Sequence, residues 1–196
     1  MNLCERIDEA RERWNVLRHP FYTRWEQGEL TREQLGFYAG EYRHAVVALA
    51  ESASAAGDAE HAQEEAEHVA LWDAFAAALE APLDREPRPE TAACERAWSR
   101  HDRLEALAVL YAVESSQPAI SETKLRGLVE HYGFRSDTDG TEYFALHAER
   151  DKEHARAARA ALADAVPADT ARLAKVAEDA LRANWLLLDG VEKAVA

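Results

Sequence analysis

The sequence predicts an all-α fold, a single-domain bundle of about seven or eight helices, and three observations support this prediction. Apolar residues recur every three or four positions over long stretches, whereas no stretch shows the two-residue alternation of a strand. Helix-favouring Ala, Leu, Glu and Arg are abundant, and the 196 residues include only 8 Gly and 6 Pro. Hydrophobic residues make up 47% of the chain, enough to build one core. We therefore expect a single domain over residues 1–196.

The boundaries of the predicted helices follow from local signals. Thr31 and Gln34 form the pattern of a capping box, which opens a long helix. Pro118 is expected to kink or restart the helix that contains it, because proline has no backbone N–H to donate. Pro167 is expected to open the last helix. In chain order, the predicted helices cover residues 2–17, 20–28, 31–57, 58–79, 89–98, 104–132, 141–165 and 167 to the C-terminal end.

The net charge of −14 at pH 7 predicts which partners the chain does not bind. Nucleic-acid backbones and anionic membrane surfaces would both repel a protein of this charge. No apolar run in the sequence approaches the roughly 20 residues that cross a bilayer. The two cysteines, Cys4 and Cys94, form no CxxC pair, so a reducing cytoplasm is the expected location.

Two of the predicted helices carry histidines and acids on one face. Separations of three, four and seven residues return to nearly the same side of a helix. One such stripe, in the helix at 58–79, contains His61, Glu64, Glu65 and His68. A second stripe, in the helix at 141–165, contains His147, Asp151 and His154. Each stripe therefore has an acid three residues before a histidine.

Bundle proteins hold a pair of iron or manganese ions with two acid-x-x-His motifs and one Glu from each of two other helices. Glu114 is one candidate for a lone Glu, because it ends an apolar helical stretch that indicates burial. A buried carboxylate needs a cation or hydrogen-bond donors. Glu41 is the second candidate for a lone Glu. His44 is expected to be a pocket or core histidine instead.

A less specific interpretation exists for each motif. A single acid-x-x-His pair on a helix is most often a solvated surface pair, whereas the two stripes together with Glu114 favour a metal site. His19, His101 and His131 lie at predicted helix ends or turns and are expected to have no role. Six large aromatic residues are expected to pack the core, with lining of a cavity as the alternative for some of them: Tyr38, Tyr42, Trp72, Phe75, Tyr111 and Phe144.

Three segments of the chain resemble the haem-oxygenase-like di-iron oxidases, within the superfamily that includes the TenA thiaminases and the PqqC-type oxidases. The opening segment His19-Pro-Phe, with residues 30–38 after it, is similar to the first helices of that superfamily. His68-Val-Ala-Leu-Trp72 resembles the family's His-x-x-Leu-Trp segment, and His147-x-x-x-Asp151-x-x-His154 resembles its most specific signature. The resemblance extends over nearly the whole chain and implies a haem-oxygenase-like fold and a homodimer.

The resemblance also implies a set of metal ligands. It places one iron on His68 and His147 and a second iron on Glu114, Asp151 and His154. The family usually has a Glu seven residues before the first of these histidines, where this chain has His61. Either His61 is itself a ligand, or Glu65, less readily Glu64, supplies the carboxylate. This departure leaves manganese or a mixed pair open in place of two irons.

The predicted function is that of a non-haem di-iron oxidase or oxygenase, which activates O2 to oxidise a small substrate such as an amine or an amino-acid derivative. One alternative is a metal-free TenA-like or PqqC-like enzyme that acts on a small heterocycle. TenA thiaminases use a cysteine near the segment that here covers residues 111–114, and this chain has none there. A second alternative is an iron-binding or storage protein.

Overall fold

The computed structural model describes residues 1–136, 138, 140–163 and 169–195, and over these ranges all regular structure is helical. The all-α prediction is therefore confirmed. A 3-10 turn at Val16–Arg18 follows the first of nine α-helices in this part of the chain. In chain order the helices are α1 (Leu3–Arg13), α2 (Pro20–Glu26), α3 (Arg32–Ala56), α4 (Ala59–Ala78), α5 (Pro89–Trp98), α6 (Arg103–Glu114), α7 (Gln117–His131), α8 (Glu142–Ala163) and α9 (Thr170–Val195).

The start and the end of α3 show how local sequence sets the helix boundaries. The Thr31 side chain accepts a hydrogen bond from the Gln34 backbone, and the Gln34 side chain accepts one from the Thr31 backbone, so the predicted capping box is present. At the other end, Gly57 has a φ of 90°. This left-handed conformation suits glycine and ends the helix. The loop that follows leads at once into α4, so the two helices are antiparallel neighbours.

The predicted helix over 104–132 is two helices, α6 and α7. The backbone N–H groups of Ser115 and Ser116 donate back to carbonyls of α6, and a new helix begins at Gln117 with Pro118 in its first turn. Proline fits the first turn of a helix because its missing N–H would have no partner there. The expectation that Pro118 restarts the helix is therefore confirmed. The predicted start of the last helix at Pro167 lies outside the described residues.

Helix α6 lies at the centre of the molecule. Every residue from Ala106 to Glu114 is buried, as expected for a helix that is apolar on all sides. It packs against α3, α8 and α9, while α4 packs against α3 and α8. Helix α8 therefore contacts both α4 and α6. This arrangement brings the two predicted stripes and the end of α6 together.

A cluster of aromatic rings fills the core beside these three helices. The rings expected to pack the core are all buried: Tyr38, Tyr42, Trp72, Phe75, Tyr111 and Phe144. Trp72 is enclosed by the rings of Tyr42, Tyr143 and Phe75, with centroids 4.8–5.3 Å away. Such contacts stabilise the core and exclude water from one side of α4. None of the described helices is both long enough and apolar enough to cross a membrane.

Candidate metal centre

The structure brings the seven predicted ligand side chains together between α4, α6 and α8. Six of them are buried, and the His61 side chain is 12% exposed. Each offers at least one buried ring nitrogen or carboxylate oxygen that has no hydrogen-bond partner among the described residues. The seven are His61, Glu65 and His68 of α4, Glu114 of α6, and His147, Asp151 and His154 of α8.

The donor atoms of these side chains form two groups that share Glu65. In each group the atoms lie within 4.8 Å of one another. Ligand atoms about 2.0–2.2 Å from one ion stand at most about 4.4 Å apart, so both groups are close to the spacing of a single ion. The first group consists of His61, Glu65, Glu114 and His154. The second group consists of Glu65, His68 and His147.

The two shortest distances in the cluster are one between α4 and α6 and one between two residues of α4. His61 Nε2 lies 2.9 Å from Glu114 Oε1, which links α4 to α6. His68 Nδ1 lies 2.9 Å from Glu65 Oε1, one turn earlier in α4. The histidine rings also pair across the cluster, His61 with His154 at 4.0 Å and His68 with His147 at 4.3 Å between centroids.

Asp151 lies beside the first group. Its Oδ1 is 3.7 Å from His154 Nδ1, and both of its oxygens are buried without a hydrogen-bond partner in the described part of the chain. A carboxylate left in this state is destabilising unless a cation is present. Asp151 thus faces the same space as the other donors.

The orientation of His147 is set by the backbone. Its Nδ1 is 2.7 Å from the carbonyl oxygen of Tyr143, and a carbonyl can only accept, so Nδ1 carries the proton. The lone pair of Nε2 is then free to face the cluster, where this atom has no partner among the described residues. Burial lowers the pKa of His147, which keeps the ring neutral, the form that binds metals.

The carboxylates of the cluster respond to one another. Burial, together with the charges of Asp151 and Glu65, raises the pKa of Glu114 well above its usual range. Burial also acts to raise the pKa of Glu65, but the His68 ring, 2.9 Å away, and the nearby histidine charges outweigh it and lower that pKa. Three acids and four histidines in one buried space fit a pair of divalent ions, and this mixture of nitrogen and oxygen donors suits iron or manganese.

Glu64 and Glu41, the other two acids considered, do not face the cluster. Glu64 forms an ion pair with Arg150 and lies behind His154, 2.9 Å from its Nε2. Glu41 is buried elsewhere, where its Oε2 accepts hydrogen bonds from Arg88 N at 3.1 Å and from the Thr91 hydroxyl. Glu41 therefore serves the start of α5 and is not the lone Glu of a metal site.

His19 lies at the start of α2, the helix end where the sequence places it, and outside the cluster, but it has a structural role. The ring is buried, its Nδ1 accepts a hydrogen bond from Phe21 N at the start of α2, and its Nε2 lies 3.2 Å from Asp189 Oδ1. His44 is half-buried on α3, outside both groups of donor atoms. Neither histidine belongs to the cluster.

Two surface pockets reach the cluster from different sides. A pocket of about 340 Å³ extends to His68 and is rimmed by Glu64, Glu67 and Arg150. A pocket of about 430 Å³ extends to His61 and is lined largely by alanine and leucine side chains of α6 and α8. Both pockets also carry charged side chains, Glu64, Glu67 and Arg150 in the first and Asp58 and Arg103 in the second.

Lys124 is a buried residue that the sequence reasoning missed. Its amine lies 4.7–6.0 Å from the centroids of six aromatic rings and donates to the Tyr38 hydroxyl at 2.6 Å. Burial lowers its pKa well below the usual range of a lysine. The signal was its position four residues after Ile120 and four before Leu128, on the buried face of α7.

Known proteins resemble the chain in sequence. Residues 29–187 match the family described as iron-containing redox enzymes. A protein named 4-aminobenzoate synthase from Chlamydia muridarum (strain MoPn / Nigg) is 34% identical, over 82% of this chain and 77% of that protein. A protein of the same name from Nitrosomonas europaea is 32% identical, over 96% of this chain and 90% of its own length.

Solved structures resemble the chain in fold. A domain with a haem oxygenase-like fold from Shewanella denitrificans superposes with a TM-score of 0.79 at 19% identity, over 99% of this chain and 93% of that one. A TenA homologue from Pseudomonas syringae pv. tomato gives 0.78 at 17% identity, over 97% and 91%. The fold is therefore haem-oxygenase-like, and the chain, an oxidoreductase, belongs to the family of iron-containing redox enzymes.

Proposed function

We propose that the chain is a non-haem di-iron oxygenase that uses O2 to oxidise a small amine or amino-acid-derived substrate. We further propose that its product is 4-aminobenzoate, the compound in the names of the two relatives, because the similarity to them extends over most of the chain. The proposed metal ligands are His61, Glu65, His68, Glu114, His147, Asp151 and His154.

The observation that carries the proposal is the set of unpartnered donor atoms. Polar atoms buried in a folded protein are nearly always hydrogen-bonded. Each of these seven side chains has a ring nitrogen or carboxylate oxygen that makes no hydrogen bond, although two pairs of the atoms lie 2.9 Å apart, so together they need a common partner. Two divalent ions meet that need. The grouping of the donors favours one ion near His68 and His147, one near Glu114 and His154, and Glu65 between them. In this arrangement His61 and Glu65 are both metal ligands, and not one or the other.

The protein's own residues give the site its character. Bound ferrous ions supply the electrons and the Lewis acidity with which O2 is reduced. The Tyr143 carbonyl holds the His147 ring in place. The rings of Tyr143 and Trp72 pack beside His68 and exclude water from the space that they fill. A dry, rigid surrounding protects a reactive centre from side reactions.

Iron stoichiometry tests the metal part of the proposal. Apoprotein titrated anaerobically with Fe(II), then exposed to O2 and followed by optical absorption and Mössbauer spectroscopy, is expected to bind two irons per chain and to oxidise both. His147→Ala is expected to lose one iron, whereas the matched control His101→Ala, at an exposed position, is expected to keep both. Preferential uptake of manganese would place that metal in one or both positions. Folded wild-type protein that binds no metal would instead favour the metal-free, TenA-like alternative.

Growth of a bacterium that cannot make 4-aminobenzoate tests the proposed product. Wild-type protein is expected to restore growth without added 4-aminobenzoate, and mass spectrometry should detect the compound in the cells. Asp151→Ala is expected to fail, while His101→Ala is expected to succeed. Two irons bound without any rescue would assign another product to the same metal site. Iron oxidation with mineral growth and no organic product would favour storage.

The two cysteines bear on where in the cell the protein works. We propose a cytoplasmic enzyme, and the two cysteines support this because both are free and buried in the structure. The homodimer that the resemblance implies stays a prediction, which sedimentation of the purified chain can test.

A further inference from the structure

Glu64 and Arg150 lie directly behind one of the proposed metal ligands. His154 presents Nδ1 to the cluster, 3.7 Å from Asp151 Oδ1 and 3.9 Å from Glu65 Oε1. Its other ring nitrogen, Nε2, lies 2.9 Å from Glu64 Oε2. The second oxygen of Glu64 accepts a hydrogen bond from the guanidinium of Arg150. The imidazole is therefore held between the cluster and an outer ion pair.

This contact determines which nitrogen of His154 carries the proton. An ionised carboxylate can only accept, so Nε2–H donates to Glu64, and in the neutral ring the lone pair is left on Nδ1. Without Glu64, the carboxylates of Glu65 and Asp151 would be the acceptors near the ring. They would draw the proton to Nδ1, where it competes with a metal ion. Arg150 donates to the other oxygen of Glu64 and so fixes the position of its carboxylate.

We propose that Glu64, held by Arg150, is a positioning residue that turns the Nδ1 lone pair of His154 towards the metal site. It thereby strengthens the binding of the metal ion on that side. The inference rests on the proposed function, since it assumes that the cluster binds metal. Carboxylates behind ligating histidines commonly orient the ring and raise its strength as a donor, and their removal weakens metal binding about 10- to 100-fold.

The second group of donors supplies an internal reference. His147 is oriented in the same way, but by the backbone carbonyl of Tyr143, which no side-chain substitution removes. Substitution of Glu64 is therefore expected to weaken the binding of the ion near His154 and to leave the affinity for the ion near His147 unchanged. A general loss of packing would weaken both.

Cobalt binding to the apoprotein tests the inference. Co(II) is titrated in while its visible absorption bands are followed, and competition with a chelator gives the two dissociation constants. Wild-type protein is expected to bind two Co(II) ions. In Glu64→Ala, one dissociation constant is expected to rise about 10- to 100-fold with altered bands, and the other to stay within about twofold. Glu64→Gln is expected to recover part of the loss, because its amide oxygen still accepts from Nε2–H.

A control on the same helix separates this effect from the loss of surface charge. Glu67→Ala removes an exposed acid that accepts a hydrogen bond from Gln63, and both cobalt affinities are expected to be unchanged. Should Glu64→Ala fail to fold, Glu64→Gln and Arg150→Met carry the test, each with a smaller loss at one ion. If the Glu64 variants bind both ions with unchanged affinity, or lose affinity equally for both, the inference is overturned but the proposed function is not. A wild-type protein that binds no cobalt would overturn both.

Discussion

At the scale of single residues, Lys124 has the least expected environment. Aromatic rings from α2, α3, α4 and α8 surround its amine, and the hydroxyls of Tyr38 and Tyr22 continue the hydrogen-bond chain away from it, 2.9 Å apart. Burial opposes the charged form of a lysine. It also raises the pKa of both tyrosines well above their usual range, so neither phenol is expected to lose its proton. The amine is thus expected to be neutral.

A neutral Lys124 predicts a specific dependence of stability on pH. In the unfolded chain its pKa is about 10.4, and in the folded chain burial holds the pKa well below that value. Between the two values the unfolded state binds a proton that the folded state does not, so the free energy of unfolding rises with pH. Lys124→Met lacks this proton. It is expected to be more stable than wild type below pH 10, by a margin that shrinks by about 1.4 kcal/mol per pH unit between the folded and the unfolded pKa of Lys124.

Urea unfolding of both proteins between pH 7 and pH 10 measures that margin. Other titrating groups are common to the two chains and cancel in the difference. Lys175→Met, at an exposed lysine of α9, serves as control. Its difference in unfolding free energy from wild type is expected not to change with pH. A margin that is constant with pH would mean that Lys124 is charged in the folded protein.

The residue scale also marks the limit of what the sequence predicts about the candidate site. Helical spacing is enough to place His61, Glu65 and His68 on one stripe, because the period of the helix is fixed. It does not choose between Glu64 and Glu65, which are adjacent and border the same stripe. The choice depends on how α4 is rotated against α8, where Arg150 draws Glu64 outwards. The two residues of that contact are 86 positions apart in the chain, so no local sequence pattern indicates it.

At the scale of helices, Glu41 acts on a helix other than its own. Arg88 precedes α5 and makes no side-chain hydrogen bond to cap it, and Pro89 occupies the first turn. The buried carboxylate of Glu41, from α3, accepts from the Arg88 N–H and the Thr91 hydroxyl. A negative charge near the first turn also favours a helix through its dipole. Glu41 thus replaces a local cap with a tertiary one.

Removal of Glu41 is expected to destabilise the fold and spare the metal site. Glu41→Ala should lower the free energy of unfolding by about 1.5–3 kcal/mol, since it leaves buried donors without their charged acceptor. Glu41→Gln should lose less, because its amide oxygen still accepts. Glu33→Gln, at an exposed position in the first turn of the same helix, should change stability by less than about 1 kcal/mol. Urea unfolding gives these values. A loss of bound metal in Glu41→Gln would contradict the separation of the two sites.

The helices themselves were largely predictable, because their ends carry local signals. The capping box at Thr31 and the proline at position 89 open helices where the sequence places them. The break between α6 and α7 depends on more than Pro118, since a proline also permits a kinked, continuous helix. The structure restarts the helix and leaves Glu114 at the end of α6, beside the cluster.

At the scale of the whole molecule, the surface bears on the predicted homodimer. Among the described residues, the exposed large hydrophobic side chains are Met1 and Val129. Obligate dimers usually bury extended apolar faces. A dimer of this chain would therefore associate through largely polar surfaces and be sensitive to salt. Its existence stays a prediction.

The metal cluster is expected to dominate the stability of the whole fold. Glu65, Glu114 and Asp151 come from three helices and converge in a buried space, where their mutual repulsion opposes folding unless cations bind. Ions that bind only the folded chain stabilise it by mass action. At 100 times its dissociation constant each ion adds about 2.7 kcal/mol, which corresponds to a rise in Tm of about 5–11 °C for a chain of this size.

Thermal unfolding, followed by circular dichroism, tests this expectation. Anaerobic Fe(II), or Co(II) in air, is expected to raise the Tm of the apoprotein by that amount per ion, and a chelator should reverse the rise. Mg²⁺ prefers oxygen ligands and keeps its water shell, so it is expected to have little effect on a histidine-rich site. His147→Ala should show a smaller rise than wild type, because one ion loses a ligand. If Fe(II) and Mg²⁺ shift the Tm equally, the stabilisation comes from screening of the net charge of −14 and not from the cluster.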